Sequence, residues 1–164
     1  MGELDPTLPP MVRQFLEGGG VLEDIRLDAE GRWWHQGGLF NNEKIMRLFW
    51  RSVDRTEGGT WVLRVGRFTY PITVEDAPFF VHRVRFEGHG GDERAWLSLS
   101  DESTEALDPA TLRYQEGRGL YCRVKDHRFE AHLDRAAWHG LQERLVEREG
   151  GAWGLLIAGR AWPL

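Results

Sequence analysis

The chain has 164 residues, with 21 Lys plus Arg against 26 Asp plus Glu, a net charge of −5 and a pI near 5.7. That length suits one ordinary domain or two small ones, and a chain of this size buries ~70% of the surface it exposes when unfolded. The acidic balance excludes a nucleic-acid binder of the simplest electrostatic kind, while eight tryptophans call for buried rings or an aromatic-lined cleft.

Residues 1–20 read as an N-terminal arm. It starts acidic, without the basic-then-apolar order of a secretory signal. Pro9-Pro10 opens a short helix carrying Met11, Val12, Phe15 and Leu16, and Gly18-Gly19-Gly20 releases it. A first α+β unit is expected over residues 21–79. Ile25 and Leu27 alternate with Arg26 and Asp28, a turn follows at 28–31, and residues 32–35 return as a second strand. Asn42 is an N-cap, and Ile45, Met46, Phe49 and Val53 form the apolar stripe of a helix of ~12 residues. Gly58-Gly59 stops it, and strands follow at Trp61, Leu63, Val65 and at Phe68, Tyr70, Ile72, Val74.

The second unit is expected over residues 80–164. Phe80, His82, Val84 and Phe86 alternate, and a Gly-rich hairpin turn at 88–92 leads to Leu97 and Leu99. Residues 100–119 are polar with weak periodicity and read as a long loop. Leu120, Cys122 and Val124 then alternate, with a partner strand at 128–133 that turns Phe129, Ala131 and Leu133 to one face and His132 away. Asp134 caps a helix carrying Ala137, Trp138, Leu141 and Leu145, and Trp153, Leu155 and Ile157 make a closing strand.

These two courses repeat at an offset of 92. Residues 57–71 align without gaps to residues 149–163, with Glu, Gly, Gly, Trp, Leu and Pro identical over 15 positions. The pattern predicts an α+β fold of two related strand–strand–helix–strand–strand units with antiparallel sheets, the product of a domain duplication.

Three segments carry a resemblance to a known family. They are Asp28-Ala29-Glu30-Gly31-Arg32-Trp33-Trp34-His35-Gln36-Gly37, then Ile72-Thr73-Val74-Glu75-Asp76-Ala77-Pro78-Phe79, then Leu120-Tyr121-Cys122-Arg123-Val124 followed by Phe129-Glu130-Ala131-His132-Leu133-Asp134-Arg135. Over residues 22–164 the chain resembles the bacterial family named "domain of unknown function 1285". It departs from the family at Val65-Gly66-Arg67-Phe68, Leu99-Ser100-Asp101-Glu102 and Ala158-Gly159-Arg160-Ala161-Trp162, as an outlying member would. The resemblance implies a duplicated core whose second half is pleckstrin-homology-like. It further implies a ligand site between the halves for a nucleotide-like molecule, and a role in signal transduction.

The candidate ligand-binding residues are Arg32, Trp33, His35, Asp76 and Arg123. Arg32 offers a planar donor fork to an anion, and Trp33 a stacking face, beside a Gly-rich turn. The alternative is that Trp33 or Trp34 is core, Arg32 is solvated and His35 is a turn residue. Asp76 lies beside a Pro-containing turn, where an Asx turn competes with a binding role. Arg123 lies in the third resembling segment. No catalytic residue, metal or cofactor is expected: neither Cys-x-x-Cys nor a helical His-x-x-x-His occurs, and no serine has a nucleophile's setting. Cys122 is the single cysteine and suits a reducing cytosol, so a cytoplasmic location is expected, with no membrane or nucleic-acid partner. A small anionic, nucleotide-like ligand is the expected partner. The alternatives are a protein-interaction module and a small enzyme using His35 and Arg32.

Overall fold

The computed structural model describes residues 4–164, so the first three residues of the expected arm lie outside it. The chain divides into two units, one ending at Asp76 and the other running from Ala77 to Leu164. Helix and strand are both present, the strands mostly antiparallel, and the fold is α+β.

The first unit holds α1 (Pro10–Glu17), β1 (Ile25–Leu27), β2 (Trp33–His35), β3 (Gly38–Leu39), α2 (Glu43–Ser52), β4 (Val53–Arg55), β5 (Trp61–Val65), β6 (Phe68–Pro71) and β7 (Thr73–Val74). The order β3-β2-β1-β7 makes one sheet and β4-β5-β6 another. The β1–β7 pair is parallel among otherwise antiparallel pairs of this unit, because the chain returns to β1 by a long crossover that includes α2. Asn42 caps α2 by accepting from the Lys44 and Ile45 N–H groups, at 3.1 and 3.3 Å. The helix stops at ten residues, shorter than the sequence suggests, because Val53 is already extended and begins β4. Gly58-Gly59 therefore turns β4 into β5 and does not end the helix. The arm is tied down before its glycines: Asp5 accepts from Thr60 Oγ1 at 2.6 Å and from Thr56 Oγ1, while Leu8 is buried.

The second unit holds β8 (Phe79–Glu87), β9 (Arg94–Leu99), β10 (Thr104–Ala106), β11 (Arg113–Gln115), β12 (Gly119–Val124), β13 (Phe129–Leu133), α3 (Arg135–Gly140), β14 (Leu145–Glu147), β15 (Trp153–Ile157) and β16 (Arg160–Pro163). Its six-stranded sheet runs β10-β9-β8-β13-β12-β11, with β8 and β13 parallel, and β14-β15-β16 form a three-stranded meander. The stretch expected as a long loop supplies both edge strands of the large sheet, joined by a 3-10 turn at Pro109–Thr111. His132 does not face solvent. Strand β13 is central and covered on both faces, so the imidazole is buried, stacked on Tyr121 at 4.5 Å, and donates from Nε2 to the Arg118 carbonyl at 2.7 Å. Alternation also fails in β8, where Phe79, Phe80 and Val81 are all buried and the register shifts between Val81 and Arg83. Gly88 is required after this strand: its φ is +90°, and a Cβ there would come within 2.6 Å of the Asp92 carbonyl oxygen. Asp134 caps α3 through the Ala137 N–H, and the helix yields after six residues to a 3-10 turn at Gln142–Arg144.

The two meanders share one register. Val53 pairs with Leu63 and Tyr70 with Leu63, and the same pairs recur 92 residues on as Leu145 with Leu155 and Trp162 with Leu155. The surroundings of the two equivalent tryptophans differ. Trp61 is half-buried under the Arg55 guanidinium, whereas Trp153, opposite Glu147, is 58% exposed. Among the described residues no helix is long and apolar enough to cross a membrane.

Candidate ligand-binding site

The expected anion site at Arg32, Trp33 and His35 is organised around Asp28. This buried carboxylate accepts the Glu30 and Arg32 N–H groups on Oδ1, at 2.9 and 2.8 Å, and the Arg32 Nε–H and Trp34 indole N–H on Oδ2, at 2.9 and 2.8 Å. Burial pushes the Asp28 carboxyl up, but the bonds from Trp34, Arg32 and Glu30 outweigh it and hold it below the ordinary range. Strand alternation sends Trp33 inward, where it is 1% exposed and packed edge-on against Phe49 and Trp50 at 5.3 and 5.2 Å. Its ring has no free face, which corrects the expectation of a stacking platform at Trp33. Trp34 is the outward ring, with the Arg26 and Arg32 guanidinium groups 5.4 and 5.7 Å from it, and Arg26 is itself paired with Glu75. His35 Nε2 donates to Glu23 at 2.7 Å, and its ring stacks on Phe40. Each guanidinium of this cluster already has a carboxylate, and the His35 ring has Glu23. Asp76 is half-buried at the end of the first unit, and Arg123 is exposed on β12 opposite Glu130.

A different surface is open in the second unit. Directly paired residues of an antiparallel sheet project to the same face, so Leu145, Leu155 and Trp162 share one face of the meander with Trp153 and Ile157. Leu155 fills the middle of that face and is fully buried. Beyond it lies a cleft of about 400 Å³ lined by Tyr114, Trp138, Leu145, Trp153 and Leu164. Tyr114 comes from the edge strand β11 and Trp138 from α3, their ring centroids 6.2 Å apart. Tyr114 and Trp153 are 49% and 58% exposed. About half of each side chain is still in water, so covering it removes on the order of 100 Å² at ~25 cal/mol/Å², a reward to a ligand of roughly 2–3 kcal/mol per ring. Sequence reasoning missed this site because Tyr114 falls in the presumed loop and Trp138 reads as a core position. The available signal was Trp153, an aromatic residue on a strand whose cross-strand neighbour is a glutamate.

The perturbed ionisable groups of the second unit have structural causes. Burial pushes the Cys122 thiol up to about 12, aided by Glu105 and Glu130, so it stays protonated. Burial raises Asp101, but Lys125 Nζ at 2.6 Å and Ser103 overcome this and hold it low. Among the described residues no group of three or more His, Cys, Asp or Glu is placed to hold a metal. The cleft offers shape, aromatic faces and one phenolic hydroxyl.

No protein-family model and no curated protein matches the chain. Two solved structures do. A DUF1285 family protein from Silicibacter pomeroyi has a TM-score of 0.69 at 26% identity, covering 87% of this chain and 79% of that one. A DUF1285 family protein from Shewanella baltica has a TM-score of 0.54 at 19% identity, covering 72% of this chain and 89% of that one, and this likeness shows the fold. The structural neighbours are thus of the family that the three sequence segments resemble.

Proposed function

From a chain whose structural neighbours are DUF1285 family proteins, we propose a non-catalytic ligand-binding protein with a regulatory role, its second unit receiving a flat apolar group in the aromatic cleft. One observation carries this reading: three aromatic rings, Tyr114, Trp138 and Trp153, line one concavity while two of them remain about half exposed. A ~400 Å³ apolar cleft lies within the range that small-molecule sites occupy. The duplicated origin belongs to the same proposal: the shared meander register supports one ancestral unit, of which the second copy opened around Trp153.

A thermal-shift panel of aromatic small molecules tests it. A ligand present at 100 times its dissociation constant adds ~2.7 kcal/mol of stability. Trp153→Ala should abolish that gain while leaving the ligand-free melting temperature nearly unchanged, because an exposed ring contributes little to the fold. A panel without any stabilising member, or a gain that survives Trp153→Ala, contradicts the reading.

A protein-interaction role has its own support. Helix α1 buries none of its residues, and Met11 and Phe15 are 75% and 49% exposed on it.

A further inference from the structure

The same meander face ends, on the far side of Leu155, in a second cleft of about 330 Å³. Its lining combines an apolar wall, including Leu107 and Pro109, with Arg94, Arg160 and Trp162. The Arg160 guanidinium lies 3.9 Å from the Trp162 ring centroid. Stacking on an indole holds a guanidinium flat and leaves its in-plane N–H fork available to an oxyanion.

The charges around this cleft leave a positive excess. Glu93 also lines it, but its Oε1 accepts from Arg144 Nη1 at 2.6 Å and from the Ala158 N–H at 3.1 Å. Glu87 pairs in register with Arg94, yet its carboxylate is 2.9 Å from Arg85 Nη2. Among the described residues no carboxylate forms an ion pair with Arg94 or Arg160. The contrast with the cluster around Asp28 is direct, since there every guanidinium is matched. Nor does the meander itself require arginine at position 160: 92 residues earlier its place is taken by Phe68.

We propose that this cleft is an anion site for a small phosphomonoester with a flat ring. Arg94 and Arg160 engage the phosphate, whose charge of about −1.5 to −2 at neutral pH matches two guanidinium groups, and the ring lies against the Leu107–Pro109 wall. The site is separate from the aromatic cleft and does not depend on it.

Calorimetric titration of the full chain with AMP, with adenosine as the uncharged counterpart, tests the proposal. AMP should bind saturably with a stoichiometry of one, and adenosine at least about tenfold more weakly. Arg160→Ala and Arg94→Ala should each weaken AMP by about tenfold or more, and Arg160→Lys, which keeps charge but not the planar fork, should lose several-fold. All three changes fall on exposed side chains, and unaltered circular dichroism confirms the fold of each variant. Trp153→Ala should leave AMP affinity unchanged, which separates failure of this site from failure of the aromatic cleft. The proposal is overturned if AMP gives no saturable heat, if adenosine binds as tightly, or if Arg160→Ala binds AMP as well as the unaltered chain does.

Discussion

Asp28 shows how one side chain can settle a turn and also use up the charges beside it. Its two oxygens accept four hydrogen bonds, two from backbone N–H groups of the turn and two from the side chains of Arg32 and Trp34. Because the folded-state carboxyl titrates below its ordinary value, its contribution is complete above the unfolded value of about 4 and disappears as pH falls through the lower folded value. Asp28→Ala should therefore cost about 1–2 kcal/mol at pH 7, because it loses charge-assisted bonds whose donors water can partly reach. The gap in melting temperature between the variant and the unaltered chain should narrow below pH ~4, and a gap independent of pH would contradict this assignment. The sequence revealed Arg, Trp and His beside a tight turn, a composition that suits an anion site. It could not show that Asp28 and Glu75 would each reach a guanidinium and Glu23 the His35 ring, because Glu75 and Glu23 arrive from elsewhere in the chain. Strand alternation made it legible that one of Trp33 and Trp34 is buried, since they must face opposite ways, but not that it is Trp33.

Local patterns carried much of the secondary structure. Asn42 and Asp134 both cap helices, and the offset of 92 places β4, β5 and β6 on β14, β15 and β16 residue for residue. Illegible were the strands stabilised only by their neighbours. The segments Thr104–Ala106 and Arg113–Gln115 have no apolar alternation, and they are strands because β9 and β12 offer them an edge to pair with. The same reason explains β13, whose central position buries His132 as well, which alternation along one strand does not show. The N-terminal arm is a further case, for its anchor is Asp5 on the turn at residues 56–60. A Cβ at Gly58 would overlap the Asp5 carboxylate, so Gly58→Ala should expel it. Limited proteolysis should then cut faster around residues 18–20 while the remainder resists digestion. Unchanged cleavage there would show that the arm is held by something other than Asp5.

Across the whole molecule, each sheet is completed by strands of its own unit, and each unit contains a three-stranded meander of the same register. The α+β class and the family likeness were legible from repeat spacing and three short segments. The open ends of the second meander were not, because their lining residues come from β9, β11, α3 and the meander together and lie far apart in sequence. The eight tryptophans also provide the most direct test of the ligand-binding account. The indole N–H resonances of ¹⁵N-tryptophan-labelled protein can be followed during titration with indole itself. The account predicts saturable shifts of Trp138 and Trp153, with Trp33, Trp34 and Trp61 unmoved. Shifts confined to the tryptophans of the first unit, or no shift at Trp153 up to the solubility limit of indole, would contradict it.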